Sequence, residues 1–170
     1  MGDVDPRAET CNLCSAQGLP TPTPESQADE NRIEAVNGGL VTVGIWYPCN
    51  AGPFATEKEF NDFLVTKDTE RLPYIFKNYA RTMMVDDHVI HFALGDFAPR
   101  NIIVDPEGRV NAVIDWHRAG WLPEYWDSNR MTTEIPGIKN YLSYIHHIIP
   151  VQYPRETVAW GFLARWTGDA

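Results

Sequence analysis

The stretch HFALGDFAPRNIIVDPEGRVNAVIDWH, residues 91–117, decides how this chain is read. It holds two short apolar runs, NIIV and RVNAVID, joined by DPEG. Pro106 suits the first corner of a turn, and Gly108 accepts a positive φ that other residues resist. The spacing therefore predicts a β-hairpin. With Asp105 and Gly108 flanking the turn, Asn101 is expected opposite Ala112, and Asp115 opposite the loop near Ala98. Asp96, Asn101 and Asp115 would then gather at the open end of the hairpin. Two carboxylates and a carboxamide suit a hard cation such as Mg²⁺, which takes oxygen ligands. A carboxylate there also suits proton acceptance from an attacking hydroxyl. The same residues can equally serve as loop residues that cap backbone groups, with Asp115 ending a strand. Spacing alone leaves both readings open.

Outward from this stretch, HVIHFAL reads as an apolar strand leading into Gly95. Upstream, Thr56 and Glu59 form a T-x-x-E capping box that opens a helix through Phe60, Phe63 and Leu64. A second helix is expected over Leu72–Val85, with Pro73 near its start. GLVTVGIWYP, Gly39–Pro48, is rich in β-branched and aromatic residues and reads as one strand. Downstream, two helices are expected, from about Gly137 to Ile149 and from about Arg155 to Trp166. Residues 1–37 read as a flexible tail: GLPTPTPESQADEN carries three Pro and no period of 2 or 3.6. That leaves residues 38–170 as a single domain.

The chain has 170 residues, 44% of them apolar, enough for one real core. Its net charge of -9 argues against nucleic acid or an anionic membrane as the main partner. It suits a cationic or neutral small molecule, or a site that holds a metal cation. No apolar run is long enough to span a bilayer, and MGDVDPRAET lacks the apolar centre of a secretory signal. Cys11 and Cys14 form a lone C-x-x-C without a second pair or a nearby His. They read as free thiols in a reducing cytoplasm, which is the expected location.

GDFAPRNIIVDPEGRVNAVIDW, followed by AGWLPEYW, resembles the catalytic lobe of the aminoglycoside phosphotransferase and choline kinase-like family, relatives of the protein kinases. The likeness is to a fungal-type branch, which GPFATEKEFNDFLV and DDHVIHF also fit, and it runs from about Gly52 to Trp126. It implies an α+β fold: a kinase-like C-terminal lobe, mostly helical, with a small hairpin carrying the catalytic loop. It further implies Asp96 as the catalytic base that orients an acceptor hydroxyl, Asn101 as a Mg²⁺ ligand, and Asp115 as the carboxylate bridging Mg²⁺ to nucleotide phosphates.

The chain departs from the family pattern at three points. Leu94 stands where the family has His, and His117 where this branch is commonly acidic. The nucleotide-binding lobe is expected to be absent: no Gly-rich phosphate loop is evident, and Lys58 and Lys67 lie in or beside a polar helix. The leading expectation is therefore a repurposed lobe acting on a small organic molecule without ATP, by acid/base chemistry such as cyclisation, isomerisation or dehydration. Asp96, Asp115 and His117 would do that chemistry and need no cofactor. His91, Trp121, Tyr125, Trp126 and Tyr141 would line an acidic, aromatic cleft for the substrate. One alternative is a Mg²⁺- and ATP-dependent phosphotransferase completed by another chain. Another is a catalytically dead, pseudokinase-like binding module. A homodimer or partner chain would cover the surface of the missing lobe.

Overall fold

The first strand of the computed structural model, β1 (Glu34–Ala35), lies where the sequence suggested only tail. Its pairing with residues far downstream is what orders it. The structure describes residues 31–44, 48–67, 72–133, 141–149 and 153–166. All of these fall in one unit, Asn31–Ala170, so residues 31–37 belong with the domain rather than with the tail. Residues 1–30, including Cys11 and Cys14, lie outside the described residues.

The stretch 39–48 is not one strand. β2 (Val41–Val43) ends at Gly44, whose φ of 97° turns the chain. Residues 45–47 lie outside the description, and β3 (Cys49–Ala51) returns antiparallel to β2. The two helices that follow are close to expectation. α1 (Glu57–Thr66) is capped by Thr56, whose hydroxyl accepts from the Glu59 N–H at 3.2 Å. Glu59 reaches back to the Ala55 N–H at 2.9 Å, which completes a reciprocal cap. α2 (Tyr74–Met83) starts directly after Pro73.

β4 (Ile90–Ala93) and β7 (Gly120–Pro123) pair antiparallel, and β1 adds to the other edge of β7. Between β4 and β7 the chain makes the hairpin of β5 (Ile102–Val104) and β6 (Val110–Val113), a separate two-stranded sheet. Three helices follow: α3 (Trp126–Thr133), α4 (Tyr141–Ile148) and α5 (Pro154–Trp166). Helices and small sheets are thus mixed, compatible with the expected α+β class. No described helix is long and apolar enough to cross a membrane.

An aromatic chain runs through the core. Phe54, Phe60, Trp126 and Trp160 stand in sequence, with ring centroids 5.4, 5.1 and 5.1 Å apart. They come from the bridge Ile33–Phe54, from α1, from α3 and from α5, so one stack ties four parts of the chain. Such tilted and edge-on pairs each add about 0.5–1.5 kcal/mol beyond area burial. Ile33, Val41, Val43, Leu64 and Leu122 pack around them. Phe60→Ala is expected to lower unfolding free energy by about 3–5 kcal/mol in urea titrations. Tyr74→Ala, at a residue 81% exposed, is expected to change it by less than about 0.5 kcal/mol.

Candidate active site

The site starts where β4 ends. Gly95 has φ 77°, and a Cβ built on it would lie 2.2 Å from the Arg118 carbonyl oxygen, so only glycine fits. The backbone N–H groups of Leu94 and Gly95 are both captured by Asp127 of α3, at 3.0 and 2.9 Å. These contacts fix the segment that delivers Asp96, which is 4% exposed. The chain then makes a short 3-10 turn, Pro99–Asn101, that carries Asn101 back to Asp96. The Asn101 Nδ2 donates to the Asp96 carbonyl at 2.9 Å and to its Oδ2 at 3.3 Å.

Asp96 is ringed by arginines. Arg100 Nη2 donates to both carboxylate oxygens at 2.7 Å. Arg130 Nη2 lies 3.7 Å from Oδ1 and is itself buried, with Nη1 on the Gly44 carbonyl at 2.8 Å. Burial pushes the Asp96 carboxyl up. The Arg100 bond and the charges of Arg100, Arg130 and Arg118 outweigh that and hold it below the ordinary aspartate value. Asp127 goes the other way: burial raises its pKa, and the two backbone N–H bonds only partly offset this. The side-chain charges that lower the Asp96 pKa are therefore those of arginines.

The hairpin forms as expected but in a different register. The Gly108 N–H donates to the Asp105 carbonyl at 2.9 Å, which closes the expected turn, but the Asp105 N–H donates to the Arg109 carbonyl at 2.9 Å, so Asp105 and Arg109 pair across the ladder. A register irregularity between Ile103 and Val104 shifts the pairing further. Ala112 consequently faces Ile103 rather than Asn101, and Val113 faces Ile102. Asn101 pairs instead beside Ile114, whose N–H donates to its carbonyl at 2.8 Å. Asn101 is thus bonded, at the open end, to the residue that precedes Asp115.

Asp115 does not continue a strand. It sits at φ 66°, ψ 60°, the one non-glycine residue with positive φ among those described. Such a conformation costs on the order of 1–3 kcal/mol and concentrates at functional sites. It turns the chain into a 3-10 helix, Trp116–Arg118. His117 still meets Asp115, as expected, though through this turn and not along a strand: its Nδ1 hydrogen-bonds Asp115 Oδ1. The Arg118 Nε donates to His117 Nε2 at 3.3 Å, so the tautomer that satisfies both bonds carries its proton on Nδ1.

The structure therefore joins Asp96 to Asn101, and Asp115 to His117. Among the described residues, no group of three or more His, Cys, Asp or Glu is placed to hold a metal ion. His91 is exposed on β4, and Trp121 is half-buried on β7 against Phe92 at 5.8 Å. Tyr125 and Trp126, expected at the substrate, are core residues instead, each 1% exposed. They enter α3, whose inner side packs on α1 and α5. The Tyr125 hydroxyl donates to the buried Asn61 at 2.8 Å. The Tyr141 side chain lies outside the described residues.

Residues 68–136 match the model of the phosphotransferase enzyme family. The matched segment contains α2, β4, the Asp96 loop, the hairpin, β7 and α3, and is less than half of the chain. No curated protein and no solved structure matches the chain. The phosphotransferase-like segment is thus the part that holds every candidate site residue named above except Tyr141; Gly44, whose carbonyl Arg130 holds, also lies outside it. Within it, Arg100, Arg118, Asp127 and Arg130 escaped sequence reasoning. Only Arg100, four residues after Asp96, carried a local signal.

Two outcomes follow from this geometry. Asp127→Ala leaves the Leu94 and Gly95 N–H groups without their acceptor, at about 1–3 kcal/mol each when buried. Hydrogen exchange at these two amides is expected to accelerate well before that of β4 as a whole. The Asp96 carboxyl is lower in the folded than in the unfolded chain, so its ionisation stabilises the fold above pH 3.8. That stability is lost as pH falls through the lower folded value. Urea titrations between pH 5 and 2 are expected to show this acid limb in the native chain and a shallower one in Asp96→Asn.

Proposed function

We propose that the chain is a small-molecule, phosphotransferase-like enzyme in which Asp96 orients a hydroxyl acceptor and takes its proton. The observation behind this reading is the state of Asp96: buried, steadied by Asn101, and held ionised by arginines. A carboxylate kept below its ordinary pKa is a weak base. It is poorly suited to pull a proton from carbon or to act as an acid. It is well suited to hydrogen-bond a hydroxyl whose proton leaves late, as in phosphoryl transfer.

This reading needs Mg²⁺ and ATP, on a kinase-like catalytic lobe. The residues fit the metal in kind. Asn101 gives its Nδ2 to Asp96, which directs its amide oxygen elsewhere, and Asp115 carries a partly exposed carboxylate one residue beyond Ile114. Mg²⁺ takes oxygen donors and commonly one or two carboxylates with substrate phosphates. Asn101 and Asp115 would hold it. Bound there, the ion would neutralise charge on the transferring phosphoryl group. Asp96 positions the attacking oxygen, Arg130 keeps Asp96 ionised, and Asp127 with Gly95 keeps the loop in place. None of the described strands before Asp96 carries a lysine, and Lys58 pairs with Asp62 on α1 at 2.6 Å. In this reading a partner segment or chain supplies the nucleotide grip. The hairpin offers such a partner exposed Ile103, Val104 and Val110.

One contact favours a second reading, ATP-independent acid/base chemistry. An exposed imidazole oriented by a carboxylate, as His117 is by Asp115, is a proton-transfer pair. The two readings separate by mutation. Under phosphoryl transfer, Asp96→Asn lowers turnover by about 10²-fold or more, and His117→Asn lowers it only a few-fold. MgATP at about 100 times its Kd stabilises the assembled protein by about 2.7 kcal/mol in thermal melts, and EDTA removes the effect. Loss of turnover in His117→Asn with no response to MgATP would select the second reading.

A further inference from the structure

Away from Asp96, a second set of titratable groups is buried where two helices begin. Glu57 is the first residue of α1, and Glu156 lies in the first turn of α5; they are 5% and 3% exposed. His88 stands between them. On one edge of its imidazole, Nδ1 meets Glu57 Oε1 at 2.7 Å, and Glu57 Oε2 accepts the His88 backbone N–H at 2.8 Å. On the other edge, Nε2 lies 3.9 Å from Glu156 Oε1, a buried atom with no hydrogen-bond partner among the described residues. The rings of Tyr125 and Tyr153 stand edge-on to the imidazole, at 4.9 and 5.6 Å.

A neutral imidazole cannot serve both edges. It carries one N–H, and the Glu57 carboxylate takes it. Nε2 then turns a lone pair toward Glu156 Oε1, so two acceptors face each other in a buried place. A second proton on the ring removes the conflict and makes Nε2–H and Oε1 an ion pair. The neighbouring charges favour that proton. Asp86 acts on Glu57, Asp87 adjoins His88 in the chain, and Glu124 bonds the Tyr153 hydroxyl. Of the cations, Arg81 is bonded to Asp62 and Asp86, and Arg155 to the Thr82 carbonyl. Burial raises the Glu57 carboxyl, and the His88 bonds offset this only in part.

We propose that Glu57, His88 and Glu156 form a proton-operated latch. In the folded chain the imidazole carries a proton on each nitrogen, and loss of the outer one as pH rises releases the first turn of α5 from the segment that leads into β4. The latch does not depend on the chemistry assigned to Asp96. It acts on the scaffold of that residue, because α5 supplies Trp160 to the stack on Trp126, and Asp127 follows Trp126. An unfolded histidine gives up its second proton near its ordinary value of about 6.5. Above that pH the latched chain holds one proton more than the opened or unfolded chain. Its stability is therefore fully present below about pH 6.5 and falls as pH rises, with the opening constant growing by up to about tenfold per unit.

The test follows the full chain from about pH 6.5 to about pH 8.5. The Thr157 N–H donates to the Tyr153 carbonyl at 2.9 Å across the first turn of α5, so its hydrogen exchange reports the latch. Its protection, corrected for the intrinsic exchange rate, is expected to fall at least about tenfold over this range. Glu156→Gln places an amide N–H opposite Nε2, so a neutral imidazole then serves both edges. In urea titrations the unfolding constant of the native chain is expected to rise at least about tenfold more over the range than that of Glu156→Gln. Equal pH dependence of the two chains would overturn the proposal. Thr157 protection that does not change with pH would overturn it as well, and that measurement needs no variant. Either result would assign the gap to a bridging water, which donates to both acceptors without a second proton on the ring.

Discussion

Between Gly95 and the carbonyl of Arg118 there is no room for a methyl group. That close approach seams the end of β4 to the turn that leaves the hairpin, and the rest of the site depends on it. Asp96 follows Gly95 directly, and Asp115–His117 lies just before Arg118. Asp127 closes the third side by gripping the Leu94 and Gly95 amides from α3. The core reaches the site through that same helix. Trp126 is packed between Phe60 and Trp160, and the next residue, Asp127, meets the loop. An aromatic stack from four parts of the chain thereby sets the position of a carboxylate that in turn sets the position of Asp96.

The electrostatics of the site run against those of the whole chain. Removing Asp96 from water disfavours its charge, and a buried carboxylate without compensation would take up a proton. Arg100 and Arg130 supply the compensation at close range, with Arg118 acting from farther off. A net charge of -9 governs the far field, solubility and encounter. It says little about the immediate surroundings of Asp96, where three guanidinium groups act on one carboxylate.

The local features of the site were legible because their signals are local. Pro106, Gly108 and the alternating apolar runs specify a hairpin, Thr56 and Glu59 specify a helix start, and the hairpin brings Asn101 near Asp115. Register was not legible. It depends on the Asp105–Arg109 closure and an irregularity at Ile103, neither of which the hydrophobic pattern encodes. Asp127 was invisible for another reason: it acts on backbone N–H groups 32 and 33 residues away, which leave no trace in side-chain spacing. Tyr125 and Trp126 were misread because aromatic residues in a sequence look alike whether they face a ligand or a core. β1 was missed because two residues of strand, Glu34–Ala35, are stable only on the edge of a sheet formed by residues far along the chain.

His88 shows how the same logic extends beyond the Asp96 loop. Glu57 opens α1 and Glu156 lies in the first turn of α5, so two helix N-termini each present a carboxylate where the dipole favours one. His88 stands between them. Glu57 accepts from its backbone N–H at 2.8 Å and meets its Nδ1 at 2.7 Å, while Glu156 Oε1 lies 3.9 Å from Nε2. Burial raises the Glu57 carboxyl, and both His88 bonds pull it back only in part. Such a group adds little net stability. Its effect is on register, since a carboxylate buried away from its imidazole costs far more than one beside it. The pairing therefore fixes how α1 and α5 approach the segment that leads into β4. β4 delivers Gly95, so a polar cluster remote from Asp96 helps decide where Asp96 ends up.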